Sequence, residues 1–309
     1  MSEKLSSVDT ELLEIVAGMD GPTGGAYNIR KDSGCSGRMS TEHISITGKE
    51  DKPGIDIRIK DGTKNESCHI PVIITKTGLQ EMVYNDFYVG DNCDVTIIAG
   101  CGIHNCGSDA SKHDGLHTFY IGKNSVVKYV EKHYGEGDGN GENIMNPQTV
   151  AYIGENSSFQ MDTAQIGGID STRRDTRIVC AAGAETIVTE RLMTQGSQHA
   201  DSNMTIVLDG DDARGRVISR SVAKGESQQC FRPCMEGNAR SFGHVQCDSI
   251  IMDSARIRSI PEIAANSTEA QLIHEAAIGK IAGEQLLKLQ TLGLTEEEAE
   301  DRILKGFLA

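Results

Sequence analysis

Cysteine and histidine side chains are the residues of this sequence best suited to carry chemistry. The chain has nine cysteines, an odd number, spread from position 35 to position 247. Thiolates and imidazoles bind zinc and iron, and a thiolate can also carry sulfur as a persulfide. In a reducing compartment, so many thiols indicate metal, sulfur or redox chemistry more than a disulfide framework. Burial as small apolar residues is the competing interpretation.

One candidate segment combines two cysteines with a histidine: Cys101, His104 and Cys106, followed closely by three more polar residues at 113, 114 and 117. Such spacings are compatible with zinc or iron. No CxxC pair fixes a tetrahedral site here, so the alternative is a Gly-rich turn with solvated histidines. A structural zinc site at these three residues remains one hypothesis.

A second candidate segment is Cys230-Phe-Arg-Pro-Cys234. A CxxxC spacing is only weakly informative about ligation or sulfur handling. Pro233 predicts that the segment forms a turn.

The third candidate is Cys247, considered together with His274 and Glu275. On a strand, Cys247 would share a face with Val245 and Ile251, and this alternation favours a core position over a catalytic one. His274 and Glu275 fall at the start of a predicted helix, where the helix dipole favours an acidic residue in any case.

Several function classes are disfavoured by motifs and charge. No G-x-x-x-x-G-K-[ST] sequence is present, so we expect the chain to bind no nucleotide and hydrolyse no ATP itself. The formal net charge of -15 would repel nucleic acid and anionic membranes. The N-terminal residues lack an apolar stretch after a basic region, and no run approaches the roughly 20 apolar residues of a membrane span. We therefore expect a cytoplasmic protein without nucleic-acid or membrane partners.

The elements that must position these side chains follow from an internal repeat. YVGDNCDVTI from Tyr88, YIGKNSVVKY from Tyr120 and YIGENSSFQM from Tyr152 recur at equal intervals along the chain, and looser echoes follow them. Each unit places β-rich runs around a Gly and Asn turn, and periods of this length indicate stacked units. We predict a mainly β fold, a right-handed parallel β-helix or β solenoid. A β-sandwich would not predict such an exact repeat.

The two ends differ from the middle of the chain. Residues 8–18 predict a short helix that ends at Gly18, and residues 19–40 are Gly-rich and predicted to be irregular. From Glu275 onward the composition predicts a helix that ends at Gly293, and Thr295 opens a capping box for a second helix. We therefore divide the chain into an N-terminal segment at 1–40, a β-helix core at 41–270, and a C-terminal helical hairpin at 271–309 that caps the stack or presents a docking face.

The C-terminal third resembles a known family. GHVQCDSIIMDSARIRSIPEI from Gly243, and AQLIHEAAIGKIAGEQLLKLQTLGLTEEEAEDRILKGFL after it, closely resemble the end of the SufB/SufD family, the scaffold components of the SUF iron–sulfur cluster assembly machinery. HDGLHTFYIGKNSVVKYVEKHYGEG and QIGGIDSTRRDT also resemble that family. The resemblance covers residues 80–309 and is most specific from Val245 to the C-terminus.

The resemblance implies a parallel β-helix flanked by helices, with C-terminal helices that dock a SufC-type ABC ATPase. The missing nucleotide motif is then expected, because a partner chain supplies the motor and this chain is a scaffold, not an enzyme. It also implies that Cys247, Glu275 and His274 build a transient iron–sulfur cluster. Residue types and spacing alone leave Cys230, Cys234, Cys101, His104 and Cys106 as weaker candidates. A sulfur donor and apo-protein acceptors would be further partners.

The sequence departs from typical SufB in being much shorter while carrying Cys247, His274 and Glu275 together. It resembles a compact SufB/SufD-like type that serves as its own partner, which implies a homodimer, with pairing to a SufD- or SufB-like paralogue as the alternative. A SufD-like accessory role is the second hypothesis. A third is a β-helix enzyme acting on polysaccharide or acyl donors through carboxylates such as Asp86, Asp109 and Asp114.

Overall fold

The computed structural model describes residues 5–309, which form mostly short strands with a helix before them and two after them. The helices are α1 (Ser7–Ala17), α2 (Gly283–Thr291) and α3 (Glu296–Phe307). The strands are β1 (Ala26–Lys31), β2 (Gly34–Met39), β3 (Ile44–Gly48), β4 (Gly54–Ile59), β5 (Lys64–Ile74), β6 (Gln80–Val89), β7 (Asp94–His104), β8 (Ser111–Ile121), β9 (Val126–Glu136), β10 (Asn143–Met145), β11 (Gln148–Ile153), β12 (Ser158–Ile166), β13 (Ser171–Cys180), β14 (Glu185–Thr194), β15 (His199–Leu208), β16 (Ala213–Ala223), β17 (Gln228–Gly237), β18 (Ser241–Ile251), β19 (Arg256–Ser259), β20 (Glu262–Ala265) and β21 (Ala270–Gly279).

The strands wind into a β solenoid with two parallel sheets, as the repeat predicted. The first sheet has the order β2-β1-β5-β7-β9-β12-β14-β16-β18-β21, and the second has the order β19-β17-β15-β13-β10-β8-β6-β4-β3, with β11 and β20 beside it. Successive strands of the coil alternate between the sheets, so each turn covers the apolar face of the turn before it. Antiparallel pairs β1–β2 and β3–β4 close the N-terminal end.

The constant interval of the repeat appears as direct stacking between turns. Tyr88 pairs with Tyr120, and Tyr120 with Tyr152, in parallel register. Their rings stack on the outer face with centroids 5.2 Å and 5.6 Å apart. On the inner face Phe87 stacks on Phe119 at 4.2 Å, and both are fully buried. Burial of each of these two phenylalanine side chains stabilises the fold by about 2 kcal/mol.

The turns of the repeat are fixed by asparagine. Asn92, Asn124 and Asn156 have φ values of 56°, 54° and 56°. This left-handed conformation is costly for most L residues, but asparagine tolerates it. The N–H of Asn92 donates to the carbonyl of Lys123 on the next turn, and the N–H of Asn124 donates to that of Glu155. The Asn turns therefore also join neighbouring coils.

The N-terminal helix covers the outer face of the first sheet. α1 begins with a capping box between Ser6 and Asp9 and ends at Gly18, whose φ is 63°. Its apolar face is buried against β5 and β7, and a Cβ added at Gly100 would lie 2.5 Å from the Val16 carbonyl oxygen. Glycine at position 100 therefore permits the close approach of helix and sheet.

The prediction that residues 19–40 are irregular was wrong. β1 and β2 form an antiparallel hairpin there, with positive φ at Asp32 and Ser33 in its turn. β1 also pairs with β5, so the hairpin extends the first sheet at its N-terminal end. The Gly-rich composition has low strand propensity, and these strands are stabilised by pairing with the solenoid.

The prediction of a helix from Glu275 was also wrong. β21 continues to Gly279 and pairs with β18 over ten residues, and α2 begins only at Gly283. Backbone pairing with β18 outweighs the helix propensity of this run. The capping box at Thr295 is confirmed at the start of α3. Leu304 of α3 and Leu308, the residue that follows α3, pack against Val222 of β16. None of the helices between residues 5 and 309 has the length and apolarity required to cross a membrane.

Candidate functional site

Cys247 and His274 lie side by side on the last two strands of the first sheet. Val245 of β18 pairs with His274 of β21, and Cys247 pairs with Ala276. Inward and outward side chains alternate along each strand, so Cys247 and His274 both face the interior. Their Sγ and Nε2 atoms are 3.3 Å apart. The two residues predicted from distant parts of the sequence therefore meet at the C-terminal end of the solenoid.

Glu275 points away from this pair. It follows His274 on the same strand and therefore faces outward, with 65% of its side chain exposed. Its Oε2 lies 3.5 Å from Nε2 of His244, which is on the outward face of β18. The sheet thus separates the three predicted residues into a Cys247–His274 pair inside and a Glu275–His244 pair outside.

His244 is a candidate that the sequence analysis missed. It precedes Cys247 by three residues, so on a strand the two side chains must face opposite ways. The signal was present in the HVQC spacing, but it has meaning only once Glu275 is known to lie on the adjacent strand. The helix expected at His274 and Glu275 concealed this pairing.

Burial sets the protonation of the inner pair. It raises the pKa of the Cys247 thiol to about 11. Burial also lowers the pKa of His274, and the neighbouring charge of His244 acts in the same direction. At neutral pH the pair is therefore a thiol beside a neutral imidazole. Iron or sulfur must displace the thiol proton to bind, and Nε2 of His274 is placed to accept it.

The 230 to 234 segment is not a turn, contrary to prediction. Cys230 and Cys234 both belong to β17. Pro233 is tolerated there because it lies opposite the gap between β19 and β20, where the neighbouring strand is interrupted. Four residues of extended chain separate the two Cα atoms by about 13 Å, too far for both thiols to bind one metal ion. Burial, followed by the charges of Glu262 and Glu236, raises the pKa of the Cys234 thiol.

Cys101, His104 and Cys106 divide between the interior and the surface. Cys101 is buried on β7 beside Val72 and Ile103. Burial raises the pKa of its thiol well above the ordinary value. His104 ends β7 and faces the opposite side of the sheet, next to the exposed Cys106. The three residues therefore do not surround one point, as a structural zinc site would require.

A buried network of charged groups inside the solenoid was not anticipated from the sequence. Arg174 of β13 donates to Glu131 of β9 at 2.5 Å, and its Nε lies 3.8 Å from Glu190 of β14. The hydroxyl of Tyr129 donates to the other oxygen of Glu131 at 2.9 Å. Burial alone would raise the pKa of Glu131, but the charges of Arg174 and His133 outweigh it and lower that pKa well below the usual range.

Polar side chains continue this network towards the N-terminal end. His117 Nδ1 lies 2.6 Å from the hydroxyl oxygen of Tyr129, and burial lowers the pKa of His117 to about 4. A cavity of about 20 Å³ beside His113, His117 and His133 has room for a single water molecule. Inward-facing polar residues at alternate positions of YVEKH were the available signal. Only the facing sheet shows that these side chains are paired.

Two kinds of comparison with known proteins agree. A family model described as SUF system FeS cluster assembly, SufBD core domain, matches residues 74–307. A protein of Methanocaldococcus jannaschii named iron-sulfur cluster assembly SufBD family protein is 28% identical over 288 residues, covering 91% of this chain and 89% of that protein.

Two further relatives carry the same family name. The one from Methanothermobacter thermautotrophicus is 27% identical over 266 residues, covering 83% of this chain and 62% of that protein. The one from Archaeoglobus fulgidus is 28% identical over 269 residues, covering 86% and 71%. The chain spans about three fifths of the length of the Methanothermobacter proteins that it matches.

Proposed function

Because the chain belongs to the SufBD family of iron–sulfur cluster assembly proteins, we propose that it is a scaffold subunit that receives sulfur and iron at Cys247. The observation that carries this proposal is the 3.3 Å contact between Cys247 Sγ and His274 Nε2. The imidazole accepts the thiol proton and passes it to solvent, and the thiolate then binds iron or takes sulfane sulfur from a persulfide donor. His274 completes the iron site as a nitrogen ligand. Such a mixed site suits a cluster that must be released.

A second copy of the chain is the partner that would complete the site. The inner pair supplies two donor atoms, whereas iron–sulfur clusters are commonly held by four. β21 is the last strand of the first sheet, and its free edge is a template for pairing with another strand. A two-fold dimer through this edge would bring two Cys247–His274 pairs together. Glu275 and His244, on the outer face of the same strands, would lie beside that interface.

We assign the C-terminal hairpin to a SufC-type ABC ATPase that supplies the motor in trans. No residue of α2 is buried, and Leu287 and Leu292 remain exposed. α3 in turn fixes the hairpin to the solenoid through Leu304 and Leu308. ATP-driven closing of two motor subunits would rearrange the two scaffold subunits and open the buried thiols. The chain itself then needs neither a nucleotide nor catalytic turnover.

The enzyme hypothesis receives less support from the carboxylates that suggested it. Asp86 is paired with Lys49 at 2.7 Å, and Asp114 with Lys112 at 2.7 Å. An acid and base pair for glycan cleavage requires two carboxyl groups free to contact the substrate, whereas lysines engage both of these carboxylates. We therefore favour the scaffold.

Anaerobic reconstitution with ferrous iron and sulfide tests the proposal. Wild-type chain should gain a charge-transfer absorption with matching iron and sulfide contents, and Cys247→Ser should lose it. Cys35→Ser is the matched control, since Cys35 is exposed on β2 and should not affect the cluster. If the wild type takes up no cluster, the hypothesis that clusters assemble directly on this chain is wrong, and a SufD-like accessory role is favoured. Normal uptake by Cys247→Ser would remove Cys247 from the site.

A further inference from the structure

A second constellation of reactive groups lies away from β21, where β7 and β9 of the first sheet end. His104 is the last residue of β7 and Glu136 the last residue of β9, and parallel pairing sets the two directly beside each other. Cys106 follows two residues after His104 and is exposed to solvent. The side chains of His104 and Glu136 are only partly exposed. The ends of β7 and β9 and the turn after β7 thus place a thiol, an imidazole and a carboxylate next to one another.

The three groups form a chain of hydrogen bonds. Cys106 Sγ lies 2.9 Å from His104 Nε2, and His104 Nδ1 lies 3.0 Å from Glu136 Oε1. With Nδ1–H donating to the carboxylate, Nε2 is left to accept the thiol proton. Both ring nitrogens are used, one towards each neighbour, so the arrangement is a proton relay and not a metal chelate. A nucleophile, a base and a group that orients the base are the parts of an activated thiol site.

The turn that carries Cys106 is held rigidly. Asn105 is only 2% exposed, and its Oδ1 accepts from the Gly107 N–H at 3.2 Å. Its Nδ2 donates to the carbonyl of Asp109 at 3.0 Å. The Asn105 backbone N–H donates to the Glu136 carbonyl at 2.9 Å. Cys106 is therefore fixed beside His104 by the same residue that ties its turn to β9.

We propose that Cys106 is a nucleophilic thiol that accepts sulfane sulfur from a persulfide donor, with His104 as base and Glu136 as the residue that positions it. This inference rests on the proposed scaffold function and names a surface entry point for its sulfur. The Cys106 sulfur attacks the outer sulfur of a donor R–S–SH, forming a new S–S bond as the donor S–S bond breaks. The Cys106 proton passes to His104 and then to the departing donor thiolate. The products are a Cys106 persulfide and the donor thiol, so no external oxidant or reductant is needed.

Two other cysteines, Cys101 and Cys35, provide a comparison for this assignment. Cys101, five residues earlier, is buried, and burial holds the pKa of its thiol well above the ordinary value. A neutral buried thiol is a poor nucleophile. Cys35 is exposed like Cys106, but its neighbour is the Asn28 side-chain oxygen at 3.7 Å, which cannot act as a base. Cys35 is therefore an internal control for exposure without activation.

The test uses glutathione persulfide as donor and follows sulfur addition at each cysteine by mass spectrometry over time. Cys106 should gain sulfur at least about tenfold faster than Cys35, and His104→Gln should slow Cys106 by about 100-fold without changing Cys35. Glu136→Gln should give a smaller loss, with a shifted pH profile. Unchanged thermal unfolding of each variant excludes a folding defect. Equal rates at Cys106 and Cys35, or no effect of His104→Gln, would overturn the proposal.

Cluster assembly with two sulfur sources separates this inference from the scaffold function. Cys106→Ser should reconstitute normally with inorganic sulfide, which bypasses the entry point. With glutathione persulfide as sulfur source, and with an added electron donor because sulfane sulfur must be reduced to sulfide, it should reconstitute at least about tenfold more slowly. Equal rates with both sources in Cys106→Ser would overturn the role of Cys106. If the wild type forms no cluster with inorganic sulfide, the proposed scaffold function is wrong. Fast, His104-dependent sulfur addition at Cys106 would still establish the thiol site in that case.

Discussion

In the proposed scaffold, the protonation of Cys247 and His274 would govern when the inner pair binds metal. Burial raises the pKa of Cys247 to about 11 and lowers that of His274. Up to about pH 9 the thiol is thus protonated, and above its lowered pKa the imidazole is neutral. A metal ion that binds the sulfur must release one proton, whereas binding to His274 releases none.

Ferrous iron affinity should therefore rise with pH. We expect an increase of about tenfold per pH unit between pH 6.5 and 9 in anaerobic titrations of the wild type, because one proton leaves for each thiolate bound. Cys247→Ser should retain only weak binding without this slope. His274→Ala should keep the slope but bind iron more weakly at every pH. A pH-independent affinity in the wild type would contradict the assigned protonation state.

The buried pair of Arg174 and Glu131 should make a large contribution to stability. Arg174→Met leaves the Glu131 carboxylate without its closest partner inside the solenoid, and we expect a loss of about 3–5 kcal/mol in the free energy of unfolding. The double variant Arg174→Met with Glu131→Gln should recover part of this loss, because no unpaired charge remains. Urea unfolding measures the free energy of unfolding of both variants. A loss below about 1 kcal/mol for Arg174→Met would show that water solvates the carboxylate.

At the scale of single elements, the Asn turns should be sensitive to the residue at positive φ. Asn124→Ala places an ordinary side chain at a φ of 54° and should cost about 1 kcal/mol. Asn124→Gly should cost less, because glycine adopts this conformation without a steric penalty. Thermal unfolding of the two variants gives the comparison. An alanine variant as stable as the glycine variant would mean that the turn relaxes to negative φ.

The exposed side of α2 is the element that we assign to motor docking. Leu287 is 61% exposed, so Leu287→Glu should leave the stability of the isolated chain unchanged. Binding to the SufC-type ATPase, measured by calorimetry, should fall by at least about tenfold because a charge would be placed in an apolar contact. Lys305→Glu, on the exposed face of α3, serves as a control that also adds negative charge. Equal loss in both variants would indicate a general electrostatic effect.

At the scale of the whole molecule, the proposed dimer through β21 would have to form against strong repulsion between like charges. The formal net charge of -15 makes two copies repel each other, and salt screens this repulsion. If β21 forms the dimer edge, the dimer fraction measured by analytical ultracentrifugation should increase with salt. Ile273→Lys should reduce the association constant by at least about tenfold. Ile166→Lys is the matched control, since both isoleucines are 44% exposed but Ile166 lies on β12 in the middle of the sheet. Equal effects would place the interface elsewhere.

The sequence by itself determined the architecture and the kind of chemistry. Tyrosines repeated at a constant interval require stacked turns, because only a solenoid places such positions in direct register. The stop signal at Gly18 and the capping residue Thr295 act locally, so the helices beside them could be located. The resemblance at the C-terminal end also pointed to Cys247 and His274.

Only the tertiary structure decided how these groups are arranged. The run around Glu275 has helical composition, yet ten residues pair with β18 and form a strand, since backbone hydrogen bonds to a neighbour outweigh local propensity. In a strand, neighbouring side chains face opposite sides of the sheet. His274 therefore lies inside next to Cys247, and Glu275 lies outside. Similarly, His104 and Glu136 are separated by a whole turn of the solenoid in the sequence and meet only because β7 and β9 pair in register. Long-range pairing of this kind leaves no local mark on the chain.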